Sequence, residues 1–148
     1  MGKLLDWPPV WLGACIVMVW AMGQVWPMPL FGPYGDWMGW PLVVLGFALM
    51  GLAAWEMMRA RTTLIPRQKP SRLVTSGVFR HSRNPIYLGD ALILLGSCLI
   101  FDVVLGLLLI PVFIWIINRR FIIPEEAVLT REFGNDYTNW CAAVRRWV

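Results

Sequence analysis

The segment IYLGDALILLGSCLIF-D-VVLGLLLIPVFIWII, residues 86–117, holds two apolar runs, Ile86–Phe101 and Val103–Ile117, separated by a single acid, Asp102. As helices the runs would each be only about 22–24 Å long, a little under the hydrocarbon thickness of about 30 Å. A tight helical hairpin with Asp102 at a solvated tip fits these lengths better than one over-long helix of about 32 residues. Pro111 is expected to kink the returning helix, because proline lacks the backbone donor and clashes with the preceding turn. Asp90 stands just inside the first run. An acid within a membrane segment is costly, so Asp90 is either near enough to the interface to stay solvated or a functional candidate.

Upstream, Val10–Trp26 is apolar apart from Gln24 and about long enough to cross a bilayer. A secretory signal is the competing reading of this region, but Asp6-Trp7-Pro8-Pro9 interrupts its start and Trp flanks both ends. Trp26-Pro27-Met28-Pro29 stops the helix, and a Gly/Pro-rich connection, Leu30–Trp40, follows. Pro41–Met58 is the next span, with Pro41 suited to a first helical turn. The composition agrees: 58 % of the residues are hydrophobic and 15 % charged, whereas a soluble domain carries about 25 % charge. That balance excludes a disordered chain and argues against a soluble one. Trp7, Trp11, Trp26, Trp37, Trp40 and Trp55 suit interfacial belts. Met18, Met22, Met50, Met57 and Met58 read as lipid-facing or packing residues. Cys15, Cys98 and Cys141 have no paired spacing and read as packing residues too. The expected fold is one all-α domain over residues 1–148, a polytopic membrane protein with spans at about 10–26, 41–58, 86–101 and 103–117. Gly46 and Gly51 could permit close helix contacts, leaving the oligomeric state open.

The charges orient the chain. Seven of the 13 Lys and Arg lie in Arg59–Arg83, five in Arg119–Arg146, and the last is Lys3. The connection Pro27–Trp40 and the stretch Asn84–Asn118 have none. The positive-inside rule then puts the N-terminus, the central segment and the tail in the cytoplasm. Four crossings satisfy all three placements, and a bacterial inner membrane is the expected location. The net charge of +4 follows from this topology and calls for no nucleic acid. The polar tail, Asn118–Val148, reads as a short amphipathic helix with Val128, Leu129, Phe133 and Tyr137 roughly on one face.

Topology does not account for the detail of the central segment, Leu73-Val74-Thr75-Ser76-Gly77-Val78-Phe79-Arg80-His81-Ser82-Arg83-Asn84-Pro85-Ile86-Tyr87-Leu88-Gly89. Downstream come Arg119-Arg120, Glu125-Glu126 and Phe133-Gly134-Asn135-Asp136-Tyr137, in that order and across the hairpin. This ordered set resembles the signature of the isoprenylcysteine carboxyl methyltransferase and phospholipid methyltransferase superfamily. The resemblance covers Leu73 to about Arg146, roughly half the chain. Val10–Met58 matches only as generic membrane helices. The position that is often His in that superfamily is Asn84, so a catalytic imidazole there is excluded.

The resemblance implies S-adenosylmethionine as cofactor, a catalytic region at about 71–146, and a lipophilic acceptor drawn from the bilayer. The residue types suit that cofactor. Glu125 and Glu126 could hold its ammonium or ribose hydroxyls by charge-assisted hydrogen bonds. Backbone donors around Asn84, Pro85, Ile86 and Tyr87, where a helix begins, favour a carboxylate. Tyr87 offers a ring face to adenine or sulfonium, and Gly77 and Gly89 would allow close backbone approach. By resemblance, Leu73, Val74 and Phe79 also belong to the cofactor site. Arg119 or Arg120 would face an anionic group of the substrate. Arg83, Arg119 and Glu126 are the residues expected to carry the chemistry, and no metal is expected. A carboxylate acceptor would need no general base, being ionised at neutral pH. An amine would have to lose a proton, for which His81, the only His, is the obvious candidate.

Simpler readings stand beside these. Arg80 and Arg83 could hold anionic lipid head groups, and Glu125-Glu126 could merely open a helix. Glu56 and Arg59 could form an exposed pair, and Arg131, Arg145 and Arg146 read as surface charges. Two other functions also fit the pattern: an NADPH-dependent membrane reductase of related architecture, and a non-enzymatic small membrane scaffold.

Overall fold

The computed structural model describes residues 7–27, 29–63 and 70–148. Lys3, Asp6, Met28, Arg67 and Lys69, which the sequence uses for topology and helix ends, lie outside the described residues. Among the described residues, five α-helices follow one another: α1 (Pro8–Val25), α2 (Pro33–Arg59), α3 (Pro85–Ile100), α4 (Leu109–Ile117) and α5 (Ile123–Ala143). Short 3₁₀ turns at Gly77–Arg80 and Val104–Leu108 precede α3 and α4. A π turn at Asn118–Ile122 joins α4 to α5 without a break. No strand occurs among the described residues. Proline opens α1, α2 and α3, at the position where its missing donor costs nothing.

Helix α3 is the inner helix. Gly89, Asp90, Ala91, Ile93, Leu94, Gly96, Ser97, Cys98 and Leu99 along it are all buried. The outer helices face the surroundings instead: 11 % of the apolar window of α1 and 17 % of that of α2 are buried. Their exposed residues include Val17, Trp20, Trp37, Phe47 and Trp55, side chains that need an apolar solvent. Pro8–Val25, Pro33–Arg59 and the continuous stretch Val104–Ala143 are each long and apolar enough to cross a bilayer. Helix α3, with 16 residues, is shorter and is covered by its neighbours.

Contact between α2 and α3 is made by backbone. A Cβ on Gly39 would lie 2.7 Å from the carbonyl oxygen of Gly96, and one on Gly96 the same distance from that of Gly39. Gly46 and Gly89 repeat the arrangement, again at 2.7 Å in both directions. Small residues at these four places let the two helices touch along their length, the usual means of helix association in lipid. One core cluster then forms between α1, α3 and α4, with Val19, Leu94, Cys98, Phe113 and Ile117 at its centre. A second cluster, Ala53, Phe79, Tyr137, Trp140 and Val144, closes the opposite end, where the central segment and α5 meet α2.

The hairpin is present, with Asp102 at its tip in the left-handed region (φ 54°). Asp tolerates this conformation better than most residues. Asp102 stands at a solvated tip, as expected, and its carboxylate also accepts hydrogen bonds from Leu30 N at 2.9 Å, Phe31 N at 2.8 Å and Gly32 N at 3.0 Å. Those bonds hold the α1–α2 connection beside the α3–α4 tip. Both connections therefore lie at one end of the bundle.

Three expectations are corrected. Helix α2 starts at Pro33, so Pro41 lies within it and most of the supposed connection Leu30–Trp40 is helical. Packing of Gly35, Gly39 and Gly46 on α3 carries the helix through that proline, as neighbours do in membrane bundles. Pro111 falls in the first turn of α4, where it leaves no donor missing, so it needs no kink. The tail is a continuation of α4 rather than a separate short helix, and it bends at Gly134 (φ 50°, ψ −118°). Leu129, Phe133 and Tyr137 do share the packed face; Val128 is outside that cluster but lines a cavity with Leu129 and Tyr137.

Two outcomes follow from this architecture. Gly96→Ala and Gly46→Ala should each lower stability in detergent by about 1–3 kcal/mol through overpacking. Gly51→Ala, which would meet nothing within 4 Å, should leave the unfolding temperature unchanged or slightly raised. Hydrogen bonds from Phe31 and Leu30, in that order, hold the Asp102 carboxyl below the usual carboxylate range. A depressed carboxyl stabilises the fold above its unfolded pKa and loses that contribution as pH falls through the lower folded value. The unfolding temperature should therefore fall as pH drops below about 4, and Asp102→Asn should flatten that part of the profile.

Candidate functional site

The central segment and the tail are stitched together at the end of the bundle away from Asp102. Arg83 N donates to Arg145 O at 3.0 Å, and Asn84 Nδ2 donates to Arg146 O at 3.0 Å. Trp140 Nε1 reaches Phe79 O at 3.3 Å. At the centre of this junction is Glu126, on the first turn of α5. Arg146 grips both its oxygens, with Nε at 3.0 Å from Oε1 and Nη2 at 2.7 Å from Oε2. Arg83 Nη1 stands 3.3 Å from the same Oε1 and donates to Cys141 Sγ at 2.7 Å. The hydrogen bond to Glu126 raises the Arg146 guanidinium above its usual value, so it stays charged. Arg146, expected to be a surface charge, is thus part of the site.

Two cavities adjoin this junction. The first encloses about 760 Å³, part of it open to solvent, between the end of α2, the central segment and α5. Its wall is largely apolar, with Met57, Leu73, Val74, Phe79 and Leu129, and Glu125 and Glu126 line it too. Two polar atoms on residues that line it, Arg83 Nε and Thr62 Oγ1, are buried without a hydrogen-bond partner. The second cavity, about 800 Å³, lies between the start of α1, α2 and the first turns of α3. Met57, Thr63, Phe79, Arg83, Asn84 and Glu125 line both. No side chain caps the N-terminus of α3 at Asn84, on that shared wall.

The two adjacent acids differ in what they have left to offer. Both Glu126 oxygens are engaged by arginine. Among the described residues, Glu125 receives one hydrogen bond, from Tyr87 Oη at 3.3 Å. Its remaining acceptor capacity faces the cavities it lines.

Of the residues singled out in the sequence, Leu73, Val74, Phe79, Arg83, Asn84, Glu125 and Glu126 line the first cavity. Pro85, Ile86 and Tyr87 line the second. Gly89 faces Gly46 and Met50, and Gly77, at φ 57°, packs against the Glu56 carboxylate. Neither lines either of these two cavities. Glu56 accepts a hydrogen bond from Ser76 Oγ at 2.7 Å rather than pairing with Arg59. Arg119 is exposed on the π turn, Arg120 lies over the Trp11 ring at 5.2 Å, and His81 is exposed at the end of its 3₁₀ turn. Tyr137, Trp140, Thr62 and Met57 line the first cavity without having been assigned to it from sequence. For Tyr137 the Phe-Gly-x-x-Tyr pattern was the available signal; for the others there was none.

Residues 35–136 match the phospholipid methyltransferase family. The chain belongs to that family. It is accordingly a membrane protein of a methyltransferase family, as its apolar helices also require. Neither the curated proteins nor the solved structures returned a match. The family match runs from α2 to the middle of α5. It includes Arg83, Glu125 and Glu126, but stops short of Tyr137, Trp140 and Arg146.

Removing the charge at the junction tests its structural weight. Glu126→Gln leaves the Arg83 side chain, 15 % exposed, without its anion and should cost about 1–3 kcal/mol. Asp136→Asn, on an exposed part of the same helix, should leave thermal unfolding unchanged.

Proposed function

We propose that the protein transfers a methyl group from S-adenosylmethionine to a lipophilic acceptor at the cytoplasmic face of the membrane. The observation that carries this is the first cavity: a largely apolar space lined by Glu125, an acid with one hydrogen-bond donor among the described residues, and by Arg83, whose buried Nε has no hydrogen-bond partner there. The donor set suits the cofactor, which presents an ammonium to an acid, a carboxylate to a guanidinium and an adenine to apolar side chains. Glu125 would take the ammonium, Arg83 the carboxylate, and Leu73, Val74 and Leu129 the adenine or ribose. Glu126, already held by two arginines, would position Arg83 rather than touch the cofactor.

When bound, S-adenosylmethionine supplies the electrophilic methyl group. The protein's task is to align donor and acceptor and to keep water out. Phe79, Met57 and Asn84, shared between the two cavities, would form the boundary across which the methyl group passes. A lipophilic acceptor, either an isoprenylcysteine-type carboxylate or a phospholipid amine, would arrive sideways from the bilayer. On this reading the chain is a multi-pass protein of a bacterial inner membrane with both termini cytoplasmic, and it takes no nucleic acid.

S-adenosylhomocysteine should raise the unfolding temperature of the detergent-solubilised protein, and NADPH should not. Glu125→Gln should weaken that binding roughly tenfold, the cost of one charge-assisted hydrogen bond. Membranes incubated with labelled S-adenosylmethionine should place label in the lipid fraction. Stabilisation by NADPH alone would support the reductase, and stabilisation by neither the scaffold.

A further inference from the structure

Glu126 stands between two guanidiniums and is shared unequally. Arg146 holds it with two hydrogen bonds, from Nε to Oε1 at 3.0 Å and from Nη2 to Oε2 at 2.7 Å. Arg83 reaches only Oε1, from Nη1 at 3.3 Å, and the same Nη1 also donates to Cys141 Sγ. Arg83 Nε is buried with no hydrogen-bond partner among the described residues. A carboxylate and a guanidinium pair best through two parallel bonds, and here Arg146 has that pairing.

Arg146 comes from the end of the chain, past the residues 35–136 that match the family. Its carbonyl oxygen accepts from Asn84 Nδ2 at 3.0 Å, and Arg145 O accepts from Arg83 N at 3.0 Å. These backbone acceptors are there whatever side chain stands at position 146. The Arg146 side chain is 41 % exposed and that of Arg83 15 %. A pair between Glu126 and Arg83 would be the better shielded from water, and shielding strengthens it. Without the Arg146 side chain, both oxygens of Glu126 would therefore turn to Arg83, whose Nη1 one of them already approaches. That pairing would neutralise the one mostly buried cation on the wall of the first cavity. Arg72, the other cation on that wall, is exposed.

We propose that Arg146 is a positioning residue: by occupying Glu126 it keeps that acid from capping Arg83, which stays open to an anionic group in the first cavity. This rests on the methyl-transfer reading above, in which the anion is the carboxylate of the cofactor. Arg146 itself lines neither cavity and acts only through Glu126. Glu125, which receives its hydrogen bond from Tyr87, stands outside this competition.

The test uses the full chain in detergent, titrated calorimetrically with two compounds. S-adenosylhomocysteine carries the carboxylate; decarboxylated S-adenosylmethionine keeps the ammonium and lacks it. Arg146→Ala should weaken S-adenosylhomocysteine about tenfold, the worth of one charge-assisted contact, and leave the decarboxylated compound unchanged. Adding Glu126→Gln to Arg146→Ala removes the competing anion and should return most of the lost affinity. A merely structural role predicts the reverse, with both compounds weakened and the double variant worse than the single. In NMR of the guanidinium nitrogens, rotation of the Arg83 group should slow in Arg146→Ala, because a two-bond pair restrains it. General loosening of the site would speed it.

Equal loss of both compounds in Arg146→Ala overturns the proposal, as does unchanged affinity for S-adenosylhomocysteine. So does a folded double variant that binds no better than the single. Should the double variant not fold, the selectivity of the single variant and the Arg83 rotation decide. If the wild type binds neither compound, the methyl-transfer reading falls, and the Arg83 rotation alone decides whether Arg146 holds Glu126 off Arg83.

Discussion

The structure depends on the distance between α2 and α3. Gly39 faces Gly96, and Gly46 faces Gly89, each pair so close that a single methyl group would collide with the opposite carbonyl oxygen. In lipid there is no hydrophobic drive to press helices together, so close packing must come from contact itself. With α2 held against α3, Met57 and Thr63 at the end of one helix stand beside Asn84 and Pro85 at the start of the other. Both cavities are built on that juxtaposition. A side chain's width between the helices would open the wall that the cavities share.

A second constraint acts at the end of the bundle. Glu126 lies between Arg83, from the segment before α3, and Arg146, from the end of the chain. Ion pairs of this kind contribute modestly to stability once desolvation is counted, but they are directional. The bidentate contact from Arg146 and the backbone bonds at Arg83 and Asn84 lock the chain's last residues over the site. Tyr137 and Trp140 are thereby laid against Phe79 and close the first cavity from the tail side. Glu125, one residue before the pinned acid, is left facing the cavities with capacity to spare.

Much of the architecture was legible in the chain. Two apolar runs around Asp102 predicted the hairpin, and the apolar composition predicted helices that cross a membrane. Element ends were less legible. Pro41 marks a helix start by local rule, yet tertiary contact along the glycine face carries α2 through it. The tail resembled an independent amphipathic helix because its polarity changes abruptly at Asn118. The backbone ignores that change and passes through a π turn. Within the site, the motif residues Leu73, Val74, Arg83, Asn84 and Glu125 come together. Gly77 and Gly89, in the same motif, serve a turn and a helix contact instead.

What the sequence determined by itself is whatever follows from periodicity, charge and local backbone chemistry: an all-helical membrane chain, its hairpin and the family pattern. Only the tertiary structure decided which acids are free to act. Glu125 and Glu126 are neighbours of the same type, and no local rule separates them. Asp102 and Asp90 both interrupt apolar runs. The difference lies in partners that are distant in sequence: Arg146 and Arg83 engage Glu126, and the Leu30–Gly32 backbone engages Asp102. No donor among the described residues reaches Asp90 Oδ1. Hydrogen bonds are short and directional, so a carboxylate's role is set by what the fold brings within about 3 Å of it, which sequence spacing does not encode.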